Sequence, residues 1–416
     1  MQTETGFDPQ TAADDFDIVI IGGGLTGQAA ALALSDADYK IAVVSGPPAS
    51  SDGRTVALMP EAQSLLRDLG LGALLESQGA PLVRLRLIDD SGSLFRPPST
   101  LFHAHELGLE AFAINIENHR LDAGLHEKLA SQPHISVISD RFDCTATHSE
   151  GRSVTLASGR ILTTRLLVAA DGRQSQTRNA LGIRSEVKPY DQVAITAIFD
   201  HSRPHDDCST EFHTRAGPFT LVPLPDQRSS LVWLTKPAQG QELSALSDAA
   251  FSEVCERQAQ SILGKMQVTG KRGLIPMARL QVEALSTERA VLVGDAGHAF
   301  PPIGAQGLNL GLRDAADLAA SLKGHADPGH SLACQDYGQR RKTDIALRSQ
   351  GVDMLNRSLL SPYLPVDFLR GAGMLALSSI RPLRRFIMEQ GIGRPVSQDG
   401  SRSQNGLQRF LSRKSS

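Results

Sequence analysis

One stretch near the N-terminus constrains the fold more than any other: DFDIVIIGGGLTGQAAALALSDADYKIAVVSG, residues 15–46. Phe16 and the run Ile18–Ile21 suit a strand buried on both faces, as strands of parallel sheets are. Gly22-Gly23-Gly24-Leu25-Thr26-Gly27 follows and fits G-x-G-x-x-G. The alanine-rich run from Gln28 to Leu34 has helix-forming composition, and a second apolar run, Ile41–Val44, completes a β-α-β unit. In that setting the motif glycines have separate tasks: a tight turn, close approach of the backbone to a pyrophosphate, and close packing of helix on strand. Unsatisfied N–H groups at the helix start attract the phosphates. Gly22, Gly24 and Gly27 are therefore expected to bind a dinucleotide.

The fingerprint lacks one part. An Asp or Glu is expected about 20 residues on, to accept hydrogen bonds from ribose hydroxyls. Here the second strand is expected to end at Val44, and Ser45 takes that place. A serine makes one hydrogen bond without charge or a bidentate grip. The loop indicates an adenine dinucleotide but not which one.

Bulk properties narrow the class. A chain of 416 residues can bury one large core or two lobes. Its net charge of −3, with acids and bases interspersed, leaves no nucleic-acid footprint. Cys144, Cys208, Cys255 and Cys334 are far apart, with no C-x-x-C pair. That argues against zinc and against a disulfide framework, and all four are expected to be packing residues. The polar, acidic start does not resemble a signal peptide, and no apolar run approaches the roughly 18 to 20 residues of a membrane span. The expectation is a soluble, cytoplasmic protein without a metal.

Further along, EAQSLLRDLGLGALLESQG has helical spacing, and Leu121, Leu125 and Leu129 form a helical stripe. SVTLASGRILTTRLLVAADG reads as a hairpin leading into a buried strand, and residues 187–280 are strand-rich, with a turn near Pro225-Asp226. The predicted fold class is α/β: a Rossmann-like domain from discontinuous segments, a β-rich substrate domain and C-terminal helices. The expected boundaries are 15–81, 105–186 and 281–345 for the first, 82–104 and 187–280 for the second, and 346–395 for the helical region. The Ser/Arg/Gln-rich stretch 396–416 reads as a disordered tail.

Two later segments repeat the glycine-acid design. RLLVAADGRQSQTRNALGI ends a strand in Asp171-Gly172, where a sharp turn leaves a carboxylate poised over a crevice. AVLVGDAGHAFPPIGAQGLNLGLRDAADLAASL puts Gly294-Asp295 after a strand at Val291–Val293 and Gly304, Gly307 and Gly311 around a helix start. Asp295 is placed to accept from a ribityl hydroxyl. N–H groups near Gly307, Leu308 and Asn309 suit an electron-rich carbonyl edge of a ring, with Pro301 and Pro302 stiffening the loop. A nicotinamide dinucleotide needs one glycine fingerprint, whereas a flavin dinucleotide needs its ADP half, ribityl chain and ring held separately. Three spaced motifs match the second requirement.

Together these motifs resemble the FAD-dependent aromatic hydroxylases of the para-hydroxybenzoate hydroxylase fold, and within them the ubiquinone-biosynthesis hydroxylases of the UbiH/UbiF type. DGRTVALMPEAQSLLRDLG, AINIENHRLDAGLHEKL, GPFTLVPLP and YGQRRKTD extend the resemblance over nearly the whole chain. The resemblance implies that Gly22, Gly24 and Gly27 take the FAD pyrophosphate and that Arg54 reaches the cofactor from the loop after the second strand. It implies that Asn118 contacts the diphosphate region and that Asp171 and Gly172 touch FAD and the reduced nicotinamide. Asp295 would bind the ribityl chain, and Pro302, Gly307, Leu308 and Asn309 would lie near the isoalloxazine. Ser45 departs from the usual acid, and Gly304-Ala305-Gln306-Gly307 departs from the A-G-Q-G of the ubiquinone group.

The implied activity is hydroxylation of a polyprenylated phenol through a flavin C4a-hydroperoxide, with FAD, O₂ as co-substrate and NAD(P)H as transient reductant. The alternatives are a same-fold hydroxylase of a soluble aromatic compound, a reductase or oxidase, and a non-catalytic flavin-binding subunit of a biosynthetic assembly. No side chain is nominated as a base. His298 is expected to hydrogen-bond its own turn, Tyr337, Arg340, Arg341 and Asp344 to form a solvated helix face with charge pairs, and Trp233 to pack in a core. Residues 358–390 mix apolar residues with Arg370, Arg381, Arg384 and Arg385, which suits peripheral membrane contact, docking of a partner, or a helical cap on the FAD lobe.

Overall fold

The computed structural model describes residues 14–46, 53–92, 98–300 and 306–360, with the backbone alone at 36 and 347–360. Along the chain come β1 (Asp14–Ile21), α1 (Leu25–Leu34), β2 (Ile41–Ser45), β3 (Thr55–Leu58), α2 (Pro60–Asp68), α3 (Gly72–Gln78), β4 (Ala80–Pro81), β5 (Arg84–Asp89), β6 (Thr100–His103) and β7 (Ile114–Glu117). Then follow α4 (Asn118–Ala130), β8 (Ile135–Ser139), β9 (Phe142–Thr147), β10 (Arg152–Leu156), β11 (Ile161–Ala169) and α5 (Gln176–Ala180). The next segment holds β12 (Ser185–His201), β13 (Cys208–His213), β14 (Pro218–Leu224), β15 (Arg228–Thr235), α6 (Pro237–Ala245), α7 (Asp248–Gln258) and β16 (Met266–Val282). Last are β17 (Ser286–Thr287), β18 (Ala290–Leu292), β19 (His298–Ala299), α8 (Gln306–Leu322) and α9 (Ser331–Leu360). Most of the expected 346–395 region beyond α9, and all of 396–416, lie outside the described residues.

The first sheet has the order β17-β18-β11-β1-β2-β8, with β10 and β9 continuing from β11. β1 pairs in parallel with β2 on one side and β11 on the other, and β18 pairs in parallel with β11. The apolar run in β1 serves both faces. Ile18 and Ile20 pack into a core with α1, α4 and α8, while Val19 and Ile21 pack with Phe142, Val154 and Leu156 of the β9–β10 hairpin. The helical stripe Leu121, Leu125 and Leu129 is buried in the first of these cores. Because the chain leaves β1 toward β2 while β11 lies on the opposite side, the sheet has a switch point between β1 and β11. Ligands of open α/β sheets bind outside the carboxyl ends of strands at such a point.

The second sheet has the order β19-β16-β12-β15-β14-β13-β5-β6. Residues 84–103 thus join the strands of 185–282, and α6 and α7 cover one face through Leu243, Phe251 and Cys255. A small third sheet, β3-β7-β4, stands between the two. Asn115 of β7 donates to Pro223 O (2.8 Å), and Arg228 of β15 reaches buried Glu117 (3.0 Å). Cys208, Cys255 and Cys334 are buried, as packing residues should be; Cys144 is exposed, contrary to expectation, because it faces outward from the β9–β10 hairpin.

Candidate cofactor and substrate site

The three glycine-acid turns leave the first sheet at one level. Ile21, Ala169 and Leu292 lie in register across β1, β11 and β18. Beyond them, Ala170 N–H donates to Ile21 O (2.7 Å) and Val293 N–H to Ala169 O (2.9 Å). Gly22, Asp171 and Gly294 therefore emerge side by side at the switch point.

Their glycines divide into two kinds. A Cβ on Gly27 would stand 1.9 Å from Gly22 O, and one on Gly22 2.3 Å from Ala170 O; these two let helix and neighbouring strand close on the turn. A Cβ on Gly24 or Gly307 would meet nothing within 4 Å. Those two leave open backbone at the starts of α1 and α8, where a ligand can approach. α1 has no side-chain cap and no acid in its first turn, so its first N–H groups are available to an anion. Thr26, which sequence reading passed over, locks the first and third motifs together: a Cβ on Gly311 would stand 2.4 Å from its hydroxyl, and Gly294 packs on the same side chain.

The acids are more occupied than their sequence suggests. Asp171 accepts from Ser175 Oγ and from Thr177 N and Oγ1 (both 3.0 Å), so its carboxylate is spent fixing the turn into α5 rather than standing open over the crevice. Arg178, buried by α5, donates to Ala296 O (2.9 Å) and Arg173 O (3.1 Å), joining the second motif to the third. Burial lowers its pKa. Asp295 remains half-exposed, with Arg173 Nε at 3.2 Å.

On the other side of the switch point, Arg54 is exposed at the start of β3, and its carbonyl accepts from Asn118 N (3.1 Å), which brings these two expected contacts together. Asn118 Oδ1 is buried and without a partner. Gln28 of α1, another residue missed in the sequence, donates to Gly23 O (2.8 Å) and Asp122 Oδ1 (2.6 Å), tying the first glycine loop to α4. Ser45 donates to Gly46 O (3.1 Å) at the end of β2. Beside it lies a cavity of about 360 Å³ lined by Gly46, Ser139, Asp140, Arg141, Ala157 and Ser158. A glycine loop with open backbone, an uncapped helix and this flanking cavity fit an extended dinucleotide.

At the third motif the side chain of Asn309 is engaged: Nδ2 donates to Ala57 O (2.9 Å) and Oδ1 accepts from Met59 N (2.8 Å). That bond pins the start of α8 to the end of β3 and leaves backbone groups to meet a ring. Pro301, Pro302 and Gly304 lie outside the described residues. His298 does not bond its own turn directly; Nε2 lies 2.7 Å from Asp314 Oδ2, which also accepts from Gly294 N (2.7 Å). Arg341 of α9 completes the group from the other carboxylate oxygen (2.6 Å) and reaches Asp317 and Asp344 as well. Burial opposes the charge on Asp314, but His298, Arg341 and the Gly294 N–H outweigh it and hold its carboxyl below the usual range.

This corrects the expected solvated helix face. Arg341 and Tyr337 are 1% and 0% exposed, and Tyr337 donates to Leu292 O (2.7 Å). Arg341's fully buried partner Asp314 comes from α8 and Tyr337's acceptor from β18, so α9's own charge pattern, which shows only the pair with Asp344, could not reveal the burial. Arg340, paired with Asp336, does lie on the exposed side. Trp233 packs in the α6–α7 core, its ring edge-on to Phe219 at 5.1 Å.

Comparison with known proteins agrees with this geometry. Residues 15–345 match the FAD-binding domain family. The ubiquinone hydroxylase UbiL of Rhodospirillum rubrum is 32% identical, covering 91% of this chain and 89% of its own. The 3-demethoxyubiquinol 3-hydroxylase of Escherichia coli is 26% identical, covering 91% and 98%. Among solved structures, Klebsiella pneumoniae HpxO complexed with FAD and uric acid has a TM-score of 0.76 at 18% identity, covering 92% of this chain and 98% of that one. With a family match across all three motifs and a relative this similar over nearly the whole length, the chain belongs to the FAD-binding domain family of flavin-dependent aromatic hydroxylases.

Proposed function

We propose that this protein is an FAD-dependent monooxygenase that hydroxylates the ring of a polyprenylated phenol on the route to ubiquinone. Similarity over 91% of the chain to a ubiquinone hydroxylase carries the reading of the substrate. Reduced by NAD(P)H, the flavin supplies an electrophilic oxygen drawn from O₂, so the chain's own work is to bind, orient and exclude water.

In this reading Gly22, Gly24, Gly27 and the first N–H groups of α1 hold the pyrophosphate, with Arg54 and Asn118 beside it. Ser45 and the cavity next to it receive the adenosine end. Asp171 and Gly172 shape the turn over which the cofactor passes, Asp295 binds the ribityl chain, and backbone N–H groups at Gly307, Leu308 and Asn309 meet the ring. The buried Asp314–His298–Arg341 group keeps the Gly294 turn at one height. For a substrate with a lipid tail, residues 358–390, which begin in the last turn of α9 and lie outside the described residues from 361 on, are the segment we assign to contact with a bilayer or with a biosynthetic assembly. Recovery of active protein exclusively in the soluble fraction, with partners present, contradicts that contact.

The test is NAD(P)H oxidation by the purified yellow protein. A prenylated phenol is expected to stimulate it and to gain one oxygen atom by mass. Stimulation by small soluble phenols alone points to a soluble substrate, and bound FAD without any stimulation points to a non-catalytic subunit.

A further inference from the structure

The centre of the second sheet is finished on one face and open on the other. Side chains alternate across strands. Ile195, Phe212, Phe219, Leu231 and Trp233 point into the core under α6 and α7. The residues between them point the opposite way. Ser230, on that second face, meets Thr55 Oγ1 of β3 (2.8 Å) and Asn115 Nδ2 of β7 (3.3 Å), so this face looks toward the FAD-binding lobe.

Strand register aligns Glu211 with Thr220, Thr220 with Val232, and Val232 with Thr196, one row across β13, β14, β15 and β12. Glu211, Thr220 and Val232 are half-buried, as is Val222 beside them, although these strands lie in the middle of the sheet. A half-buried row between two lobes borders open space. Thr196 closes the row at 6% exposure, its hydroxyl buried and without a partner. β3 links this face to the flavin motif, because Thr55 bonds Ser230 while Ala57 and Met59 bond Asn309 at the start of α8.

We propose that this row is the floor of the substrate cavity and that Glu211 accepts the hydrogen bond of the substrate's ring hydroxyl. The assignment rests on the proposed function. Val222 and Val232 give a flat apolar surface for an aromatic ring. The Glu211 carboxylate is held at both oxygens, by His213 Nε2 (2.7 Å) and Thr220 Oγ1 (3.3 Å). Each carboxylate oxygen keeps a second acceptor site, so one remains for a phenol O–H. The unpartnered Thr196 hydroxyl is available to a second ring oxygen, as a ring already bearing one oxygen substituent would present. Glu211 thereby fixes which ring carbon faces the flavin, as a positioning residue.

The test uses FAD-loaded protein, with binding read from the flavin absorption spectrum, and compares 2-prenylphenol with prenylbenzene, which lacks the hydroxyl. Wild type should prefer the phenol by about tenfold or more, the range of a hydrogen bond to a charged group. Glu211→Ala, which removes the acceptor, should bring that ratio close to one; Glu211→Gln, whose carbonyl still accepts but carries no charge, should lower it; and Val232→Phe should block both compounds while the flavin stays bound. An unchanged preference in the Glu211 variants, or undiminished binding in Val232→Phe, overturns the inference. Should the Glu211 variants fail to fold, Val232→Phe alone decides. Wild type that binds neither compound contradicts the proposed substrate class; tight binding of both without preference contradicts the role of Glu211 alone.

Discussion

At the scale of single residues, the glycine loop predicts opposite outcomes for two substitutions of the same size. Gly27→Ala drives a methyl against Gly22 O, which the register of β1 and β11 holds in place. It should cost about 1–3 kcal/mol as overpacking, read as a lower melting temperature with or without FAD. Gly24→Ala meets nothing, at a φ of −74° that any residue adopts. It should leave the melting temperature of the flavin-free protein unchanged and weaken FAD by about tenfold, since its methyl occupies the approach to the pyrophosphate. Asp314→Asn is a different case, for it takes the buried carboxylate away from both His298 and Arg341 and leaves Arg341 only the more exposed Asp317 and Asp344. Breaking such a pair costs about 3–5 kcal/mol. Because Asp314 titrates below the usual carboxylate range in the folded protein, its contribution is present above pH about 4 and is lost as pH falls through the folded value. The gap in melting temperature between wild type and Asp314→Asn should therefore narrow on acidification below about pH 4.

At the scale of elements, the glycine turns were legible in the sequence and their ties to one another were not. The β1–α1–β2 unit follows from local pattern: an apolar strand, a turn with one glycine per task, an alanine-rich helix. The helical stripe of α4 and the hairpin into β11 are similarly local. Arg178 is written in an unremarkable QTRNA segment, and nothing nearby says that its guanidinium reaches Ala296, because that contact spans two motifs far apart in sequence. The charges of α9 look solvated for the same reason. Asp171 shows the converse: its motif is visible, but its hydrogen bonds to α5 depend on the turn that the glycine makes. Arg178→Ala should loosen the third motif from the second, raising the FAD dissociation constant several-fold while far-ultraviolet circular dichroism stays constant. Tyr337→Phe removes one buried hydrogen bond between α9 and β18 and should cost about 1 kcal/mol in denaturant unfolding.

At the scale of the whole molecule, the chain carries a dinucleotide-type sheet and an antiparallel-rich sheet, with the small β3-β7-β4 sheet between them. The first carries the three glycine motifs of the FAD-binding domain family; the face of the second that looks toward it is the one we assign to the substrate. Packing of both cores predicts thiol behaviour: of the four cysteines, Cys144 should react with a thiol reagent in the native protein, and the other three should react on unfolding. Burial pushes the Cys334 thiol up to about 11, which further suppresses its thiolate. Among the described residues no helix is long and apolar enough to cross a membrane.

The most direct test of the central claim is a lipid-quinone profile, by mass spectrometry, of the source organism lacking this chain and after its restoration. The predicted result is loss of ubiquinone with accumulation of a polyprenylated phenol short of one ring hydroxyl, both reversed when the chain is restored. Unchanged ubiquinone without any such intermediate would contradict it.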